Sequence, residues 1–146
     1  MLLFDGVSQE TAIKEYEKTT GNLVKPSGIF IHPNIKYLAA SPDGIVTDNS
    51  AVVEVKRPYK YRNSLASEVD FVQNMGSFKN HPFYTQCQIQ MKVCNIPRCD
   101  FVVWTTKSIY IQNITLNEPF VEDVLTKIHF YYNKVFINEY FRLKWE

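Results

Sequence analysis

Asp43 and Glu54 stand eleven positions apart, and the chain fills that interval with Gly44-Ile45-Val46, then Thr47-Asp48-Asn49-Ser50, then Ala51-Val52-Val53. Valine-rich runs of this length are strands and the polar quartet between them is a turn, so the stretch can only close as a tight β-hairpin. Side chains two apart on a strand share a face. Val53 and Val55 therefore point one way, and Val52, Glu54 and Lys56 the other. At ~3.3 Å rise per residue Glu54 and Lys56 stand about 7 Å apart. Asp43, at the end of the neighbouring strand, comes beside them when the hairpin closes.

Two carboxylates and an ammonium then converge at one sheet edge. Close carboxylates repel, and a hard divalent cation between them removes the repulsion. Mg²⁺ takes a few carboxylate oxygens together with water and phosphate oxygens. A lysine beside such an ion can steer or deprotonate the attacking water and stabilise negative charge. Phosphodiester hydrolysis uses all three groups. As a bare pattern, however, Asp-x10-Glu-x-Lys also describes a turn followed by a solvated strand face with a weak ion pair. The rest of the chain has to decide.

With 146 residues, 45% of them hydrophobic, the sequence reads as one globular domain over 1–146 with a real core. A net charge of +1 supplies no global attraction for a polyanion, so any nucleic-acid contact must come from local clusters of Lys and Arg. Cys87, Cys94 and Cys99 form no Cys-x-x-Cys pair, and an odd count fits no disulfide framework. His32, His81 and His129 are too scattered for zinc. There is no long apolar run, and the opening Met-Leu-Leu-Phe-Asp-Gly is too short and too soon charged to be a signal peptide. The expectation is an intracellular protein of the nucleus or cytoplasm, not secreted and with no membrane partner.

Along the chain, residues 5–20 predict a helix stopped by Gly21. Residues 27–46 predict short strands broken at His32-Pro33-Asn34 and Pro42-Asp43-Gly44. Residues 59–80 carry little periodicity and predict a mobile or partly helical excursion. Residues 81–94 predict a helix with proline in its first turn and a Phe83, Cys87, Met91, Cys94 stripe. Two strands around Lys107 follow, and then a long helix capped by Asn117. The order argues for an α/β fold, a central mixed β-sheet flanked by α-helices.

The blocks Ser-Pro-Asp-Gly-Ile-Val (41–46), Val-Val-Glu-Val-Lys-Arg-Pro (52–58) and Phe-Tyr-Thr-Gln-Cys-Gln-Ile-Gln-Met (83–91) together resemble the YqaJ-type viral recombinase family. This is the group of PD-(D/E)XK nucleases that includes the phage lambda exonuclease. The resemblance covers roughly residues 6 to 140. It implies a restriction-endonuclease-like core, Asp43 and Glu54 as Mg²⁺ ligands with the Val55 carbonyl, Mn²⁺ as an alternative ion, and Lys56 as the catalytic lysine. Glu10 matches the family's outer acidic residue, and Gln86 the first glutamine of its active-site helix. DNA is the implied partner, double-stranded ends above all, with a single-strand annealing protein as companion and a ring-shaped oligomer as one assembly in the family. Where the family has cysteine after the lysine, this chain has Arg57, which adds a phosphate contact. Relatives carry a DNA-gripping segment ahead of the first helix, whereas Gly6 is preceded here by five residues, so weak and distributive binding is expected.

Plainer readings stand beside these. Glu10 and Lys14 are spaced as an exposed helical ion pair, and Gln86 with Gln90 as a polar rim. Ser41, Lys60, Arg62, Lys92 and Lys107 are candidate phosphate contacts, but scattered surface lysines are ordinary. Tyr59 and Tyr61, interleaved with Lys60 and Arg62, suit base stacking or simple packing. The reading of function is an Mg²⁺-dependent exonuclease acting on double-strand ends in viral or mobile-element recombination. A structure-selective endonuclease, an RNA-cleaving relative and a non-catalytic binding module remain as alternatives.

Overall fold

The computed structural model describes residues 6–145, so Asp5, the first residue of the predicted helix, and the four residues before it lie outside the described residues. The chain divides into two units, Met1–Leu116 and Asn117–Glu146.

The first unit begins with α1 (Gly6–Thr20), which ends where Gly21 takes a φ of 76° and returns its N–H to the Glu17 carbonyl at 2.8 Å. That left-handed conformation is open to glycine without steric cost. Five strands follow in one sheet, ordered β1-β4-β5-β6-β7: β1 (Val24–Lys25), β4 (Gly44–Val46), β5 (Val52–Lys56), β6 (Arg98–Trp104) and β7 (Ile109–Thr115). All neighbours are antiparallel except β5 and β6, which makes the sheet mixed. Parallel neighbours need a crossover. Here it contains α2 (Asp70–Gln73) and α3 (Pro82–Cys94).

The predicted hairpin is present, with Gly44 opposite Val53 and Ile45 opposite Val52. Asn49, at φ 60°, turns it, and Asp48 accepts the Ser50 N–H at 2.8 Å. Gly44 is required by its neighbour, since a Cβ there would lie 2.3 Å from Val24 Cγ1. β-Branched residues fill the strands. Val53, Val55 and Val102 pack on the α1 face with Ala12 and Tyr16, while Cys87 and Met91 of α3, both fully buried, bring that helix onto β5 and β6. Each such aliphatic burial contributes about 1.5–3 kcal/mol.

Two local expectations need correction. β2 (Phe30–Ile31) and β3 (Ala39–Ala40) pair as a separate antiparallel ribbon instead of joining the central sheet. Residues 59–80 are partly helical, as one of the two expected forms had it: a series of 3-10 turns around α2, tied by the Ala66 N–H donating to Ser108 Oγ at 2.8 Å and by the Thr106 N–H donating to the Arg62 carbonyl at 3.0 Å. In the second unit the predicted long helix divides into α4 (Glu118–Tyr131), a π-helical turn at Tyr132–Phe136 and α5 (Ile137–Trp145). Its start is as expected, with Asn117 Oδ1 accepting the Phe120 N–H at 3.2 Å.

At the Arg98 end of β6, α1 is locked to the sheet by a buried carboxylate. Asp100, 1% exposed, receives the Tyr16 hydroxyl at 2.5 Å, the Asn113 amide at 2.7 Å and the Arg98 Nη2 at 3.3 Å. Burial, and then the bond to Asp100, push the Tyr16 phenol up to about 12. A phenol raised in the folded state stabilises the fold below its unfolded value and loses that contribution as the pH rises from about 10 to about 12. Tyr16→Phe removes one donor from a buried charge and is expected to cost about 1–3 kcal/mol at neutral pH. It should also flatten the alkaline fall in stability. Urea unfolding at pH 7 and across pH 9–12 checks both, and an unchanged midpoint would remove the lock.

Candidate active site

β4 starts at Gly44, so continuing its register sets Asp43 across from Glu54. Beyond that point the β5 edge has no strand partner. The Val55 N–H, which a longer β4 would have paired, instead donates to Asp43 Oδ2 at 2.7 Å. N–H and C=O of one strand residue emerge on the same edge, which directs the Val55 carbonyl toward the Asp43 carboxylate. The other Asp43 oxygen accepts Gln9 Nε2 from α1 at 2.7 Å. Both oxygens are thus held by donors from different elements. Burial first, and then the charge of Glu54, raise the Asp43 carboxyl above its ordinary value.

Glu54, 4% exposed, sits on the α3 face of β5. Its Oε1 accepts from Lys56 Nζ and from Gln86 Nε2, each at 2.6 Å, and its Oε2 accepts from Gln90 Nε2 at 2.7 Å. Gln86 Oε1 in turn accepts from Lys56 at 2.9 Å, and the ammonium lies 4.4 Å from the Phe83 ring centroid. Helical spacing explains this arrangement. Gln86 and Gln90 are i, i+4 on α3 and meet one carboxylate together. Gln88, on another side of the helix, donates to the Thr115 carbonyl at 2.8 Å and ties α3 to β7. Holding Glu54 leaves Gln90 Oε1 buried without a hydrogen-bond partner, a local cost of about 1–3 kcal/mol.

Glu10 does not join this network. It is exposed, pairs with Lys14 at 2.6 Å and is held below the ordinary carboxylate range by that ammonium. It lines, with Gln9, Glu17 and Asp43, one cleft of about 490 Å³. Ser41 is exposed two residues before Asp43. Lys60 is drawn to Asp70 at 3.4 Å, and Lys92 lies toward the C-terminal end of α3, away from Gln86. Arg57 and Arg62 line a small cavity beside the end of β6, and Lys107 occupies the exposed β6–β7 turn. Sequence reasoning missed Gln9 and Phe83. It weighed Gln90 only as rim, although the i, i+4 spacing to Gln86 was its signal.

Asp43, Glu54 and the Val55 carbonyl would offer only oxygen donors. Among the described residues no group of three or more His, Cys, Asp or Glu side chains is placed to hold a metal ion. Two carboxylates and a carbonyl fit a hard ion such as Mg²⁺, which keeps several waters, and not zinc with its nitrogen and sulfur ligands.

The mixed sheet flanked by helices carries Asp43 just ahead of β4 and Glu54 and Lys56 on the adjoining β5. The chain belongs to the YqaJ-like viral recombinase domain family, whose model matches residues 6–106. Its fold is similar to that of the alkaline exonuclease LHK-Exo from Laribacter hongkongensis, at TM-score 0.74 and 22% identity over 99% of this chain and 76% of that one. The same exonuclease in complex with dAMP matches at TM-score 0.75 and 24% identity, with the same coverage. A phage-related exonuclease from Haemophilus somnus 129PT matches at TM-score 0.57 and 15% identity over 84% of this chain and 68% of that one. No curated protein matches the chain in sequence.

Proposed function

We propose that this chain is an Mg²⁺-dependent deoxyribonuclease, the whole 1–146 chain acting as one nuclease domain that digests double-stranded DNA from its ends. The observation that carries the reading is Glu54, a buried carboxylate whose two oxygens take three donors, one of them the ammonium of Lys56 two residues on. A structural ion pair needs no such shell, and burying one is a poor source of stability.

Asp43, Glu54 and the Val55 carbonyl would hold the ion, with Glu10 contributing from the outer wall of the cleft. The ion, when bound, neutralises charge on the phosphoryl oxygens and activates water. The chain's own residues do the rest. Gln9 and the Val55 N–H fix the Asp43 carboxylate, and Gln86 and Gln90 fix Glu54. Lys56, aimed by Glu54, Gln86 and Phe83, stabilises the charge that builds on the phosphoryl oxygens, and its ammonium can give a proton to the departing oxygen. Ser41, Arg57, Lys60, Arg62, Lys92 and Lys107 contribute phosphate contacts in proportion to their nearness to this edge. Because phosphate contacts are few, binding is expected to be weak, with a shallow salt dependence, since the slope scales with the number of phosphates neutralised. A single-strand annealing protein is the natural companion, since digestion of one strand supplies what such a protein binds. The site of action is inside the cell; among the described residues no helix is long and apolar enough to cross a membrane.

The experiment is digestion of the same duplex as a linear molecule and as a covalently closed circle, in Mg²⁺. The linear form should shorten from its ends while the circle persists. Cutting of the circle at the linear rate would replace the exonuclease reading by an endonuclease.

A further inference from the structure

Lys56 and Arg57 are consecutive at the end of β5, so their side chains leave on opposite faces. Lys56 pairs with Val103 across the parallel ladder, and one step further the register sets Arg57 beside Trp104. A cavity of about 110 Å³ opens there, lined by Arg57, Pro58, Tyr59, Arg62, Trp104 and Thr106. No carboxylate is among its lining residues.

Its walls are fixed. The Arg62 carbonyl accepts from both the N–H and the hydroxyl of Thr106, at 3.0 and 2.6 Å, which ties the turn after β5 to the turn after β6. The Arg62 guanidinium lies 4.1 Å from the Tyr59 ring centroid and donates to the Tyr59 carbonyl at 3.2 Å. Trp104 packs against the core cluster on the α1 face. The cavity is therefore present before any ligand arrives.

We propose that this cavity binds one unpaired nucleobase of the DNA strand whose phosphate lies at Lys56. The chemistry on the page selects that ligand. Two aromatic rings and a guanidinium plane offer flat faces to a π-system, and every base has one. Arg57 and Arg62 in the lining make the cavity positive, which suits a phosphodiester and repels a cation. The space holds one ring system, not a base pair, so a base enters only after leaving its stack. That step is cheapest where pairing is already weakest, as at a duplex end. Phosphate and base of one nucleotide are joined through one sugar, and the Cα atoms of Lys56 and Arg57 are about 3.8 Å apart. A strand passing over the end of β5 can thus leave its phosphate on one face and its base on the other.

The inference rests on the nuclease reading, and a binding measurement separates the two. The sequence holds two tryptophans, so Trp145→Phe leaves Trp104 as the only indole reporter. This variant of the 146-residue chain is titrated, in Ca²⁺, with a series of short frayed duplexes, each carrying one abasic site at a successive position. One position should bind about tenfold more weakly than the intact duplex, in line with the loss of a stacked base, and should fail to quench Trp104. Tyr59, 47% exposed, can be shortened without opening the core, and in Tyr59→Ala that penalty should vanish while the salt dependence persists. Equal affinity at every abasic position, or the same penalty in Tyr59→Ala, overturns the base site alone. No binding to any duplex overturns the nuclease reading with it.

Discussion

Glu54→Gln is expected to lower cleavage by about a thousandfold, the scale for losing one preorganised charge at a reacting phosphoryl group, while the chain stays folded. The substitution keeps the shape. Gln90 can turn its amide so that the Oε1 now buried without a hydrogen-bond partner accepts from the new amide, and Gln86 retains its acceptor. What disappears is the negative charge opposite Asp43. Glu54→Ala is the poorer test, because it strands Lys56, Gln86 and Gln90 together, and removing one partner of a buried pair costs about 3–5 kcal/mol. Circular dichroism and urea unfolding of the Gln variant establish that the fold is intact. Cleavage within tenfold of wild type would deny Glu54 its role.

Lys56→Arg is expected to lose at least about a hundredfold in kcat with DNA affinity kept, the low end for a positioned proton-transfer group. The Lys56 side chain is 16% exposed and is aimed by Glu54 at 2.6 Å, Gln86 at 2.9 Å and the Phe83 ring at 4.4 Å. That slot suits a compact ammonium. A guanidinium keeps the charge but is planar, larger and unable to give up a proton. Separating kcat from KM on a linear duplex decides between roles: full activity in the arginine variant would make Lys56 a partner of Glu54 and nothing more.

The hairpin with its charges was legible because period-two alternation and turn chemistry are local, so Asp43, Glu54 and Lys56 could be placed together from eleven residues of spacing. The starts of α3 and α4 were legible for the same reason, through Pro82 and Asn117. What escaped lies in contacts far apart in sequence. Gln9 reaches Asp43 across 34 positions, and no pattern in α1 marks it. Phe83 was read as part of a packing stripe, and only the docking of α3 on β5 brings its ring under Lys56. The strands that left the central sheet, β2 and β3, are two residues long and carry no signal of partner choice. Residues 59–80 have weak periodicity because their short 3-10 turns are held by Ser108 and Thr106 of the β6–β7 turn, so that of the two expected forms, mobile or partly helical, the second is the one present.

The central claim is that Asp43 and Glu54 hold a divalent ion that cleavage requires. The direct measurement is a single-turnover time course on end-labelled linear duplex, run with Mg²⁺, with EDTA, and with Mg²⁺ restored after EDTA, alongside calorimetric titration of Mg²⁺ into wild type and Glu54→Gln. The account predicts cleavage with Mg²⁺ alone, none in EDTA, full recovery on restoration, and a binding heat that Glu54→Gln lacks. Cleavage that persists in EDTA, or equal Mg²⁺ binding by both proteins, would contradict it.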